Sequence, residues 1–92
     1  MSNKNTVTVE HVKSLMNESE INSVKLGEKT TVVEFKLPNG FVIIESSSCV
    51  DPTNFDMQMG IDICLGRIEN KVWELEGYWL QKLMYIEETG NV

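Results

Sequence analysis

Between Cys49 and Ile86 the chain carries apolar residues at helical spacing for most of 38 positions, and whatever lies upstream must be shaped to meet them. Ile61, Leu65, Ile68, Val72, Leu75, Trp79, Leu83 and Ile86 recur three and four apart. That spacing sets them in one stripe of an amphipathic helix, with one side committed to a core. Gly66, Trp73, Gly77, Leu80 and Met84 form a second stripe, about 100° away at about 100° per residue. Arg67, Asn70, Lys71, Glu74, Tyr78, Gln81 and Lys82 fill much of the rest. One apolar face needs only the core. A second, carrying two glycines, implies another close neighbour. That neighbour is either a second copy, giving a homodimer, or the N-terminal segment of the same chain, through Val12 and Met16.

The start of this stretch is well marked. Asp51 can cap a first turn, and Pro52 suits the first helical position, where its missing N–H costs nothing. Asn54 followed by Asp56 offers a second start a few residues later. A helix from Pro52 to Ile86 would be about 50 Å long. A compact domain of this length has a radius of gyration of roughly 12–13 Å. The expectation is therefore a break near Glu69–Glu74, giving two C-terminal helices. Gly60, Gly66 and Gly77 each weaken a helix by up to about 1 kcal/mol, and each needs a packing reason.

Upstream the period changes. Thr8 is an N-cap for a short helix from Val9 to about Asn17. Val24 and Leu26 mark a short strand, turning at Gly27–Glu28. Thr30–Leu37 alternates, with Thr31, Val33, Phe35 and Leu37 on one side and Val32, Glu34 and Lys36 on the other. Pro38-Asn39-Gly40 is a hairpin turn signal, and Phe41–Ser46 is the returning strand. The expected fold is α+β: an N-terminal helix, an antiparallel sheet of two or three strands, and two C-terminal helices packed on one sheet face. Residues 1–92 form a single domain, with 1–7 and 87–92 expected to fray. Val33, Phe35, Leu37, Ile43, Ile61, Leu65, Ile68, Val72, Leu75 and Trp79 are the expected core.

Charge narrows the partners. The net charge is −6, which opposes non-specific nucleic-acid binding, since that relies on Lys and Arg at phosphates. An acidic surface instead fits a basic protein partner, a nucleic-acid-mimicking decoy, or simple solubility. There is no run of 18 apolar residues, so no membrane span is expected, and Met1–Glu10 lacks the apolar segment of a signal peptide. Cys49 and Cys64 are expected to be free thiols, as in a reducing cytoplasm. Two cysteines and one histidine, His11, cannot complete a four-ligand zinc site without carboxylates, so no metal or cofactor is expected.

Candidate chemistry is sparse. Ser46, Ser47, Ser48 and Asp51 read as a serine-rich connector feeding a helix start, a place where exposed N–H groups and hydroxyls hold phosphates. The plainer reading is a flexible linker with Asp51 as a cap, because Asp51 and Asp56 already bring negative charge. No glycine-rich phosphate loop is present. His11 has no nameable partner. Glu74 and Glu76 lie two apart and cannot face each other on a helix.

Three segments, LPNGF at Leu37–Phe41, CVDPTNFD at Cys49–Asp56 and WELEGYWL at Trp73–Leu80, occur in an order and at distances that resemble a family of small bacteriophage accessory proteins of unknown function. The resemblance spans about Val9 to Leu83. Ser48 stands where the family commonly has alanine, and Glu74 where it often has proline. The resemblance implies a phage or prophage origin and action in the host bacterial cytoplasm. It carries over no catalytic residue.

Together these readings favour a non-enzymatic protein that binds and modulates a host protein, for example one of its defences. The alternative is an oligomeric sponge for a small nucleotide signal, with the ligand at Ser46–Asp51. That alternative requires basic residues such as Lys25, Lys29, Lys36 or Arg67 to gather there. Gly66, Trp73, Gly77, Leu80 and Met84 are the expected oligomer or partner surface.

Overall fold

The computed structural model describes residues 5–91; the expected fraying of residues 1–4 and 92 lies outside them. The elements run α1 (Val9–Glu18), β1 (Glu20–Leu26), β2 (Thr30–Lys36), β3 (Val42–Ser48) and α2 (Met57–Thr89), with a single 3-10 turn at Pro52–Asn54. Glu87–Thr89, inside the second end expected to fray, form the last turn of α2, which Gly90 closes in the left-handed conformation.

Thr8 caps α1, its hydroxyl accepting from the His11 N–H at 3.1 Å. The strands form an antiparallel meander in the order β1-β2-β3. The β2–β3 turn closes by the Leu37 N–H donating to Phe41 O and the Gly40 N–H to Leu37 O, both at 2.8 Å. Gly40 supplies the positive φ, 94°, that this turn needs. Both outer strands are longer than the sequence pattern indicates. β2 offers seven residues of backbone donors and acceptors, and the ladder is filled on each side. Ser47 and Ser48, read in sequence as connector only, are therefore strand residues paired with Thr31 and Thr30, continuing from Ser46, the expected strand end, which pairs with Val32.

The alternation in β2 holds: Thr31, Val33 and Phe35 are buried, as is Leu37 just beyond. They meet Ile43 of β3, Val12 of α1, and Cys64, Ile68 and Val72 of α2 in one core. α2 lies across β2 and β3 but not β1, so every residue of β1 is exposed.

The expected pair of C-terminal helices is corrected: α2 is one continuous helix of 33 residues. The chain breaks earlier, between the turn at Pro52–Asn54 and the Asp56 cap. No proline follows Pro52, and Gly66 and Gly77 stay out of the positive-φ region, so nothing interrupts the helix near Glu69–Glu74. A limit set by the radius of gyration holds only where both helix ends lie over the core. Here the last turns run past the sheet instead, and the molecule measures 56 × 23 × 20 Å with a radius of gyration of 16.5 Å.

The buried side of α2 is also shifted from the expected stripe. Gly60, Cys64, Ile68, Val72 and Leu80 are buried. Ile61 and Leu65 are half-buried, while Leu75 and Trp79, expected in the core, are exposed. An i, i+4 ridge winds slowly around the helix axis. This ridge faces the sheet at Gly60 and has turned away from it by Leu80.

Candidate functional site

A cleft of about 240 Å³ opens where the start of α2 meets the end of the sheet. Thr31 and Ser47 reach it from the α2 side of the sheet, joined by Lys29, Ser48 and Cys49. Asn54, Phe55, Asp56, Met59, Gly60 and Ile63 form the opposite wall. Gly60 makes the approach possible, since a Cβ there would lie 2.1 Å from Thr31 Oγ1. The Thr31 hydroxyl donates to Met57 Sδ at 3.8 Å.

Two caps set the wall. Asp51 Oδ1 accepts from the Thr53 N–H at 3.0 Å, and Asp56 Oδ1 from the Met59 N–H at 3.1 Å. The bond from Thr53 stabilises the charged form of Asp51 and holds its carboxyl below the usual range. Lys29 Nζ donates to Val50 O at 3.2 Å, and Lys25 Nζ sits 4.6 Å from the centre of the Phe55 ring, a cation–π distance. Arg67 Nη1 donates to Ser46 O at 2.7 Å, occupying an acceptor of β3.

Of the residues singled out in the sequence, Ser47 and Ser48 line the cleft. Ser46 and Asp51 do not: Ser46 is held by Arg67, and Asp51 serves the 3-10 turn. Of the basic residues, Lys29 lines the cleft and Lys25 stands beside it over Phe55. Lys36 is at the far end of β2. The sequence reading missed Thr31, Asn54 and Phe55 as cleft residues. Thr31 was legible as an inward strand position, but the helix crossing that opens the cleft above it was not.

The stripe of Gly66, Trp73, Gly77, Leu80 and Met84 is not one open surface. Leu80 is buried, Trp73, Gly77 and Met84 are half-buried, and Gly66 is exposed. Trp73 packs on the core together with Met16 of α1. His11 Nε2 lies 2.6 Å from Glu76 Oε1, tying α1 to α2 across 65 residues. No partner for His11 was nameable in sequence because the contact is non-local. Cys64 lies in the core, and burial pushes its thiol pKa up.

The open apolar surface lies where α2 passes the β2–β3 turn. Leu37, Asn39, Phe41, Leu75, Glu76 and Trp79 surround a shallow cleft of about 360 Å³ at the β2–β3 turn. Trp79 is 50% exposed and Phe41 52%. Tyr78 and Tyr85 stand out on an adjoining side.

Among the described residues no helix is long and apolar enough to cross a membrane, and no three His, Cys, Asp or Glu side chains gather as a metal site. No curated protein and no solved structure matches the chain. Residues 7–84 match the family described as phage protein (N4 Gp49/phage Sf6 gene 66), nearly the whole chain and all three segments noted above. The chain belongs to this family of small phage accessory proteins of unknown function.

Proposed function

We propose that this phage protein works by binding rather than catalysis, and that its target is a host protein in the bacterial cytoplasm. The observation that carries this reading is the half-exposed Trp79 beside Phe41 and Leu75 at the β2–β3 turn. Tryptophan in a shallow apolar cleft is the kind of anchor on which a protein interface concentrates its energy. The net charge of −6 favours a target with a basic rim. Affinity purification from infected cells tests the reading. The wild-type chain should retain a host protein at about one-to-one stoichiometry. Trp79→Ala, at a half-exposed position, should lose it while keeping the wild-type circular dichroism spectrum. Equal retention by the two proteins would remove this surface from consideration.

A second reading, capture of a small nucleotide, is favoured by Lys29 and Lys25 meeting hydroxyls and the Phe55 ring at the cleft on the start of α2. Ammonium groups recognise phosphate, and an aromatic ring recognises a base. Mass spectrometry of denatured, cell-purified protein should then show a carried nucleotide. The double substitution Ser47→Ala, Ser48→Ala should reduce it. No carried nucleotide, with function unchanged in the double variant, would eliminate the cleft.

A further inference from the structure

The hollow at the β2–β3 turn differs from its neighbours in charge. Lys29 stands in the wall of the cleft at the start of α2. Lys71 lines a hollow beside Ile43, and Lys82 lines one between Tyr78 and Tyr85. The hollow at Trp79 has no basic residue in its wall and one acidic residue, Glu76. Helical spacing makes Glu76 and Trp79, three apart, neighbours on one side of α2. The turn brings Phe41 to the same hollow, beside Leu75. A carboxylate thus sits among two half-exposed aromatic rings.

Glu76 is only partly open to water, its side chain 22% exposed. His11 Nε2 holds one of its oxygens, Oε1, at 2.6 Å. The other, Oε2, has no hydrogen-bond or ion-pair partner among the described residues, and it is not buried. That oxygen decides what can fill the hollow. An apolar side chain laid there would take water from Oε2 and return nothing, which costs desolvation energy. A cation replaces the water with a charge-assisted bond, and the faces of Trp79 and Phe41 attract it further.

We infer that this hollow recognises an arginine side chain of the host protein. The inference rests on the host contact proposed above and names its chemistry. A guanidinium stacks flat on an indole, donates from its edge to a carboxylate such as Glu76, and leaves its methylene stem for Leu75. An ammonium holds its water more tightly and has no flat face to stack. The net charge of −6 draws basic surfaces toward this chain in general; the hollow gives one basic side chain a place to dock.

Single residues capped at both ends test this directly. The probes are N-acetyl-arginine amide, its lysine equivalent, and its citrulline equivalent, which has the shape of arginine without the charge. Each is titrated into isotopically labelled chain at constant ionic strength, and the indole N–H resonances of Trp73 and Trp79 are followed by NMR. Arginine should shift the Trp79 resonance saturably, with a dissociation constant on the order of 10 mM, and leave Trp73 unmoved. Citrulline should bind at least about tenfold more weakly, because the charged hydrogen bond is lost. Lysine should also bind more weakly than arginine. Glu76→Gln keeps a hydrogen bond to His11 and should weaken arginine binding at least about fivefold, with an unchanged circular dichroism spectrum. A Trp79 resonance that ignores arginine overturns the inference. So does citrulline or lysine binding as tightly as arginine, or a Glu76→Gln variant that binds as the wild type does. The citrulline comparison uses the wild-type chain, so it decides the matter even where Glu76→Gln fails to fold. The host contact and the arginine site fail separately. A Trp79-dependent host protein retained by a chain indifferent to arginine overturns this inference and leaves the host contact standing. Arginine binding with no host protein retained overturns the host contact and supports the preference of the hollow.

Discussion

At Gly60 the helix and the sheet come too close for a side chain, and at Gly66 there is open space. The two glycines sit six residues apart in one helix, so they separate packing from backbone propensity. Gly60→Ala would drive a methyl into Thr31 and should destabilise by about 1–3 kcal/mol, the range for overpacking. Gly66→Ala meets nothing within 4 Å and should stabilise by up to about 1 kcal/mol, through lower chain entropy in the unfolded state. Urea unfolding of the two variants checks the opposite signs. The thiols divide in the same way. Cys64 is buried with a raised pKa and Cys49 is half-buried near the surface. At pH 8, iodoacetamide should modify Cys49 and leave Cys64 untouched until the protein unfolds, as read by peptide mass spectrometry.

At the scale of the elements, α2 runs unbroken from Met57 to Thr89. Spin labels at Gln58 and Glu87, with Cys49 and Cys64 replaced by alanine and the sample diluted with unlabelled chain, should report about 44 Å along a straight helix. Two helices folded back near Glu69–Glu74 would bring the labels to roughly half that distance. The sequence made α1, the alternation of β2 and the Pro38–Gly40 turn legible, because caps, period-two patterns and turn residues are local signals. It also made legible that Cys49–Ile86 is mostly helical. Two things were not legible. A size limit derived for spherical domains does not apply to a helix free to overhang its sheet. And a stripe drawn along the axis placed Leu75 and Trp79 inside, whereas the ridge through Gly60, Cys64, Ile68 and Val72 winds around the axis and leaves them outside. The candidate cleft was half legible. Ser47 and Ser48 were in view, but Phe55 and Lys25 meet only through the fold.

As a whole, the molecule is a short block with a rod emerging from it, 56 Å in its long dimension. The block is held by non-local contacts of the sheet with the first half of α2, and the rod extends a helix already nucleated there, so its own initiation cost is already met. The proposed host contact, at Trp79, lies where this rod leaves the block, beside Leu37 and Phe41 of the β2–β3 turn. The sheet carries a different asymmetry. β1 has its outer edge bare and all seven residues exposed, whereas on β3 the Arg67 guanidinium occupies the Ser46 carbonyl. An edge strand with unpaired N–H and C=O groups is a template for pairing with another chain. With one carbonyl of β3 already taken by a side chain, the two edges are unequal, and the bare edge of β1 is the better template for a further strand.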